Sequence, residues 1–223
     1  MSPAAPDLAA LARWDTPALS NALRRTDAGA DGQEYTDGSI HRVAGPTMAG
    51  IAVTATMRAR RPGGDAVPVA ELHRAVLAVG GPAVVVVQDL DEEPGAGAFL
   101  GEVNGTLLAA LRISGFVTNG RVRDVPDLQG MGFAVHAAGA CVARAHMRLT
   151  AVGVPVRVAG LDVAPGDLLH GDGHGVLKIP AAAAPALPAL AEAVRAEEQE
   201  VVSWARSADC TPERLLALKR VRH

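Results

Sequence analysis

The run PAVVVVQD, from Pro82 to Asp89, constrains the fold more than any other stretch of the sequence. Consecutive β-branched residues with no polar alternation suit a strand buried on both faces, and such strands belong to parallel sheets covered by further layers. The run ends at acidic residues, as a strand does when it delivers a functional loop at its carboxyl edge. Its neighbours fit the same scheme. Ile51, Val53, Thr54 and Thr56 mark a strand from Met48 to Met57, and Val69 to Val79 has helical spacing. A second helix is predicted from Glu102 to Arg112, followed by a shorter strand around Phe116, Val117 and Thr118. The order strand, helix, strand, Gly-rich loop, helix, strand predicts an α/β fold built from βαβ units.

Outside this centre the signals are local. Asp15 or Thr16 caps a helix with Pro17 at its first position, running through LSNALRR. From Met131 to Ile179 the pattern changes to short β segments, FAVHA, VPVRVAG, LDV and GVLKI, separated by Gly and Pro turns. An Ala/Glu-rich helix is predicted from Pro185 to Arg206, and Thr211-Pro212-Glu213 reads as the start of a last one. With no repeat and no linker, residues 1–223 read as a single domain whose C-terminal part, about 182–220, is helical.

Composition narrows the functions. At 49% hydrophobic over 223 residues the chain can bury a sizeable core, so disorder is excluded. Aromatics are 3% and the formal charge is −3, which argues against stacking on bases or neutralising a phosphate backbone. The Arg24-Arg25 and Arg58-to-Arg61 clusters are too short to reverse this. Cys141 and Cys210 are too far apart for a paired-thiolate motif and read as reduced structural thiols. No basic start followed by an apolar core opens the chain, and no apolar run is long enough to span a bilayer. The expectation is a cytoplasmic protein without nucleic-acid or membrane partners.

Two segments carry chemistry: GAGAFLGEVNG, from Gly95 to Gly105, and TNGRVRD, from Thr118 to Asp124. They follow successive strands of one βαβ unit, and ligands of open α/β folds collect beyond the carboxyl ends of such strands. A Gly-rich approach to a helix leaves N–H groups free for an anion, so Gly101, Glu102, Val103 and Asn104 are candidates to grip a carboxylate. The plain alternative is an ordinary loop with a charged first-turn residue. Asp124 is a hard oxygen ligand suited to magnesium or manganese, and Arg123 offers a planar fork for a carboxylate or enolate oxygen. An isolated Arg-Asp pair is otherwise a surface ion pair. The glycines of the first segment do not have dinucleotide-binding spacing. The segment His170-Gly-Asp-Gly-His174 reads as a tight turn rather than a zinc site, with His174 a peripheral candidate. Ser20, Ser39 and Ser114 lack a nucleophile-elbow context. Lys178 and Lys219 are the only lysines and lie outside both loops, which disfavours imine chemistry.

With these residues in view, the chain resembles the family that contains 4-hydroxy-4-methyl-2-oxoglutarate aldolases and the RraA-like regulators of ribonuclease E. The resemblance runs from WDTPALSNAL at Trp14, through AGPTMAGIAVTA at Ala44 and GEVNGTLLAALRISGFVTNGRVRD at Gly101, to PGDLLHGDGHGVLKIP ending at Pro180. Aldolases of the family carry an acidic residue, twenty intervening residues and Arg-Asp; Glu102 precedes Arg123-Asp124 by that interval, in place of the usual Asp. The regulators carry Gly at the first position and an acidic residue three after the final Asp, a feature that Asp127 satisfies. Asn119 replaces an Asp common before the Gly of the second loop, a change with the capacity to alter metal hydration.

The resemblance implies a layered α/β/β sandwich of the RraA-like, swivelling-domain type, assembled as a homotrimer or a dimer of trimers with sites at subunit interfaces. It implies that Asp124 binds a divalent metal, Mg2+ or Mn2+, that Arg123 contacts a small 2-oxo acid, and that backbone donors of Gly101 to Asn104 complete the site. The activity implied is cleavage of 4-hydroxy-2-oxo acids to pyruvate, with oxaloacetate decarboxylation at the same site and Glu102 organising a proton-transferring water. The alternative is a non-catalytic regulator of ribonuclease activity acting by protein binding. Methyltransferase activity gains no support from any cofactor-binding pattern.

Overall fold

In the computed structural model, which describes residues 6–27 and 34–217, four parallel strands form the centre of an eight-stranded sheet. They are β2 (Met48–Arg58), β3 (Ala83–Asp89), β4 (Gly115–Thr118) and β5 (Ala134–Ala137), side by side in chain order. The connections carry α3 (Val69–Val79), α4 (Glu102–Ala110) and α5 (Val125–Gln129). Strand β1 (His41–Ala44) adds to β5 in the antiparallel sense. The long β2 serves two antiparallel neighbours on its other edge. Met48 to Ile51 pair with β9 (Leu168–Asp172), whereas Ala55 to Arg58 pair with β6 (Arg148–Val152). One strand that changes partners midway bends the sheet into a curl.

The valines of β3 show why the sequence chooses this arrangement. Val84, Val85, Val86 and Val87 are all 0% exposed, so the strand is covered on both faces. Val85 and Val87 join Val53, Phe116 and Val135 beneath Leu72 and Val76 of α3, Leu108 of α4 and Leu128 of α5. Val84 and Val86 join Ala52, Val117 and Ala134 against the hairpin of β7 (Val156–Val158) and β8 (Leu161–Val163). The layers are therefore helices, curled sheet and hairpin, the expected α/β/β order. Each valine contributes about 1.5–3 kcal/mol by leaving water.

A third apolar cluster ties on the chain ends. Leu19, Ala22 and Leu23 of α2 (Thr16–Leu23) and Leu187 and Ala191 of α6 (Leu187–Ala205) pack with Leu168, Leu177 and Ile179 of β9 and β10 (Gly175–Ile179). Asp15 is the cap of α2, accepting a 2.7 Å bond from the Ala18 N–H. Thr16 is therefore the first helical residue and turns its hydroxyl to His170 instead. Thr211 caps α7 (Pro212–Leu216) as expected.

The structure adds elements that the sequence reading leaves out: a short first helix, α1 (Leu8–Leu11), and β1, β6 and α5. It also promotes FAVHA from one of several short β segments to the fourth parallel strand. No helix among the described residues is long and apolar enough to cross a membrane. Lys219 and the ends of the 1–223 span lie outside the described residues.

Candidate active site

Strands β3, β4 and β5 release their chains at the same sheet edge, and three loops meet there. The β4–α5 loop runs beside the loop after β5: the Val122 N–H donates to Gly139 O at 3.0 Å and the Cys141 N–H donates to Val122 O at 2.8 Å. The β3–α4 loop touches both. Its Ala98 N–H donates to Ala143 O at 3.1 Å, and its Leu100 O accepts the Arg123 N–H at 3.0 Å. Backbone bonds, independent of side chains, thus bring Gly101 to Asn104 and Arg123-Asp124 together.

The contact between them is close. Asp124 lies in the left-handed region, φ 53° and ψ 44°, a conformation that Asp tolerates better than most residues. This turns its carboxylate away from its own helix and towards α4. There Asp124 Oδ2 accepts the N–H of Glu102, the first helical residue, at 3.0 Å. The same oxygen lies 3.2 Å from Nε of Arg123. A carboxylate at the amino end of α4 meets the dipole and an N–H that the helix cannot satisfy itself. The sequence reading gave this anchor to a substrate carboxylate; in the structure Asp124 takes the Glu102 N–H. The N–H groups of Val103 and Asn104 follow in the first turn, which has no intrahelical acceptors.

Gly101 is what makes this approach possible. A Cβ at this position would sit 2.5 Å from Asp124 Oδ2 and 2.8 Å from Arg123 Cγ. Asn104 braces the turn by donating from Nδ2 to Phe99 O at 2.7 Å. The Glu102 side chain is exposed beside Asp124 and makes no hydrogen bond or ion pair among the described residues. Arg123 and Asp124 are both partly exposed, so their charges are open to a ligand.

A cleft of about 310 Å³ opens between the loops. Phe99, Val69 and Met147 supply apolar walls, while Gly101, Asn104 and Arg123 line it from the predicted segments. Arg144 lines it too, from the loop after β5, and nothing in the sequence points to it because it stands in no recognisable motif. Asp89 is the other residue missed in detail. Only 2% exposed, it accepts the Gly95 N–H at 2.7 Å and the Asp91 N–H at 3.0 Å, and so pins the Gly-rich loop to the end of β3. Burial pushes its carboxyl above the ordinary value, opposed by those two bonds.

Asn119 has a different task from the one its place in the second loop suggests. Its Oδ1 accepts the Asp89 N–H at 2.7 Å and its Nδ2 donates to Asp89 O at 3.0 Å, clipping β4 to the end of β3. A carboxylate lacks the second of these bonds.

A divalent ion is implied by the resemblance, and the donor set can be tested against it. Asp124 Oδ1 has no hydrogen-bond partner among the described residues. No group of three His, Cys, Asp or Glu placed to hold a metal occurs among them. One carboxylate does not make a closed zinc site, but it fits magnesium or manganese, which keep several waters and take further oxygens from a substrate.

The remaining candidates lie elsewhere. Residues 170–174 form the end of β9 and the turn into β10, as predicted. His170, fully buried, faces Thr16 Oγ1 at 3.1 Å, and its pKa falls to about 4 because burial disfavours the cation. Burial opposes ionisation of Asp172 as well, yet hydrogen bonds from His174 and Thr16 outweigh it and hold that carboxyl below its ordinary value. Lys178 pairs with Glu34 at 3.3 Å, near the β7–β8 hairpin and away from the cleft.

Comparison with known proteins agrees with this architecture. The RraA-like (Aldolase/RraA) family model matches residues 16–177. A protein of Halalkalibacterium halodurans named "Putative 4-hydroxy-4-methyl-2-oxoglutarate aldolase" is 36% identical over 73 residues, which is 31% of this chain and 34% of that protein. The chain thus spans about a third of the length of this curated relative. An uncharacterized protein from Pseudomonas syringae pv. tomato has the same fold, with a TM-score of 0.71 at 22% identity, covering 95% of this chain and 93% of its own. So does Streptomyces coelicolor RraAS2, described as an unusual member of the RNase ES inhibitor RraA family, with a TM-score of 0.67 at 23% identity over 91% of this chain and all of that one. With the family model covering most of its length, this chain belongs to the RraA-like family.

Proposed function

We propose that the protein is a divalent-metal-dependent lyase that cleaves 4-hydroxy-2-oxo acids, such as 4-hydroxy-4-methyl-2-oxoglutarate, to pyruvate, and that decarboxylates oxaloacetate at the same site. One observation carries this reading: Asp124 and Arg123 meet the amino end of α4, where Gly101, Val103, Asn104 and Arg123 line a cleft of small-molecule size. The named H. halodurans relative supports the same class, through its name alone.

Retro-aldol cleavage removes the proton of the 4-hydroxyl and breaks C3–C4. The C4 fragment leaves as a carbonyl compound, and the electron pair passes into a pyruvate enolate that is then protonated at C3. Arg123 is placed to hold the 2-oxo oxygen and carboxylate with its forked N–H groups as negative charge develops. The amides of Val103 and Asn104 offer donors from the helix end. Glu102, exposed beside Asp124, orients the water that takes the hydroxyl proton. Asp124 would hold Mg2+ or Mn2+ through Oδ1, and when bound the ion supplies Lewis-acid stabilisation of charge on the 2-oxo group. Lys178 stands outside the cleft, so among the described residues no amine is at hand there for an imine.

The working form in this proposal is a cytoplasmic homotrimer or dimer of trimers. Val103 and Leu107, one turn apart on α4 beside the cleft, are 69% and 46% exposed, and Val142 on the neighbouring loop is 97% exposed. Apolar residues grouped around a site are suited to burial against a second copy.

Pyruvate release from 4-hydroxy-4-methyl-2-oxoglutarate and from oxaloacetate, with and without magnesium, tests the reading. Metal-dependent release supports it. A folded, magnesium-supplied protein that releases no pyruvate from either compound refutes the enzyme and favours the reading of a non-catalytic protein-binding module.

A further inference from the structure

We infer that Arg144 is the specificity residue of this cleft, reading a second carboxylate at the far end of the substrate; the inference rests on the proposed 2-oxo acid reading and deepens it. The two arginines that line the cleft come from different loops, and no acidic side chain lines it with them. Their electrostatic situations differ. Arg123 has Asp124 at 3.2 Å, which offsets much of its charge, whereas Arg144 makes no ion pair or side-chain hydrogen bond among the described residues. Arg58, Arg60 and Arg148 nearby are committed, to Leu90 O at 2.7 Å, Glu93 at 2.8 Å and Arg61 O at 2.8 Å, and Arg121, which has no such partner among the described residues, does not line the cleft. A ligand with one carboxylate at the Arg123 end leaves the Arg144 charge unmatched. A ligand with a second carboxylate matches both.

The backbone around Arg144 is built to hold this position. The Ala98 N–H donates to Ala143 O at 3.1 Å, the His146 N–H to Ala59 O at 3.0 Å, and the Met147 N–H to Arg144 O at 3.3 Å. Ala145 is held at φ 50°, a conformation costly for alanine. Gly97 lies so close that a Cβ there would meet Arg144 O at 2.3 Å. Thus the loop bearing Gly101 and the loop bearing Arg144 are joined through their backbones, which holds the base of the Arg144 side chain at the cleft.

The test compares two inert probes that differ in one group, 2-oxoglutarate and 2-oxopentanoate. Neither carries the 4-hydroxyl needed for cleavage. Binding of each to the magnesium-supplied wild type, Arg144→Gln and Arg144→Lys is measured by calorimetry, with thermal midpoints and light scattering to verify folding and assembly. The expected wild-type preference for 2-oxoglutarate is roughly tenfold or more, the scale of one charge-assisted hydrogen-bonded contact. Arg144→Gln collapses the ratio of affinities towards one, and Arg144→Lys keeps part of it. A wild type that binds 2-oxoglutarate no better than 2-oxopentanoate, or not at all, overturns the assignment, as does a folded Arg144→Gln that keeps the wild-type ratio. If the ratio collapses as expected while 4-hydroxy-4-methyl-2-oxoglutarate yields no pyruvate, the lyase reading fails and the distal anchor stands.

Discussion

Replacing Gly101 by Ala asks whether the site depends on the close approach of the two loops. Gly101 has φ −158° and ψ −165°, extended backbone that any residue adopts, so the substitution imposes no dihedral strain. Its effect is steric. The new methyl group would lie 2.5 Å from Asp124 Oδ2, which has to retreat by about 0.9 Å to reach the 3.4 Å of an ordinary contact. The 3.0 Å bond from the Glu102 N–H is lost or lengthened in the same movement, and Arg123 is pushed at Cγ. Displacing reactive groups by about 1 Å costs on the order of a hundredfold in rate. Because Arg123 and Asp124 are partly exposed and free to swing outward, the stability cost is small, about 1 kcal/mol, or roughly 2–4 °C in thermal midpoint for a chain of this size.

The assay is pyruvate release from 4-hydroxy-4-methyl-2-oxoglutarate under saturating magnesium, with the melting curve taken on the same preparation. Gly81→Ala serves as control, since nothing lies within 4 Å of a Cβ placed there and its backbone is not left-handed. The expected result is a loss of roughly a hundredfold in kcat/KM for Gly101→Ala with near-parental melting, and no loss for Gly81→Ala. A folded Gly101→Ala enzyme with parental kcat/KM would refute the argument, because the crowding at Asp124 would then be irrelevant to catalysis.

Other perturbations reach different parts of the molecule. Arg123→Lys keeps a charge but loses the planar fork, and kcat/KM is expected to fall roughly a hundredfold without change in oligomer size; steady-state kinetics and light scattering decide it. Excess chelator is expected to abolish pyruvate release and magnesium or manganese to restore it, whereas undiminished turnover in chelator contradicts the proposed role of Asp124. Asn119→Asp removes the donor to Asp89 O and sets a carboxylate beside an already buried one, so the urea midpoint should fall by the equivalent of about 1–3 kcal/mol. A change in magnesium affinity with unaltered stability would instead show Asn119 acting on the metal. Buried His170 has its pKa depressed from 6.5 to about 4, so the unfolded chain binds the extra proton first; stability is intact above pH 6.5 and declines as pH falls towards 4, by up to about 3 kcal/mol. His170→Asn should flatten that slope in urea titrations at stepped pH, and an unchanged slope would assign the acid sensitivity to other groups.

The sequence carried the sheet and the loops, and it failed where tertiary contact decides. The valines of β3 announce a doubly covered strand because four consecutive residues exclude water on both faces. By contrast, β6 is RLTAV, polar and apolar in no decisive order, and it exists because the long β2 has a free edge beyond β9. The five-residue α5 is too short for any periodicity to show. Within the site, Arg123, Asp124 and the start of α4 were legible because helix ends and acid-base pairs have local signatures. Arg144 was not, since its place in the cleft follows from the path of a loop that neither strand signals nor turn residues specify.

Asp127 and Glu102, the two residues on which the enzyme and regulator readings divide, are unequal as evidence once their surroundings are known. Asp127 is an exposed first-turn residue of α5, and its own N–H bonds back to Asp124 O at 3.1 Å. An acid there is favoured by the helix dipole whatever the protein does. It therefore says little about regulation. Glu102 gains the same first-turn benefit, but its position is also fixed by the Asp124 carboxylate on its N–H. Asp124 is partnered by Arg123, whereas the exposed Glu102 side chain makes no ion pair among the described residues and is open to a water or a ligand. The decisive substitution is thus Glu102→Gln, which keeps shape and removes one charge. In a lyase it should weaken magnesium-dependent turnover by roughly tenfold to a hundredfold while leaving the melting temperature near the parental value. An unchanged rate in the folded variant would mean that Glu102 has no part in the reaction.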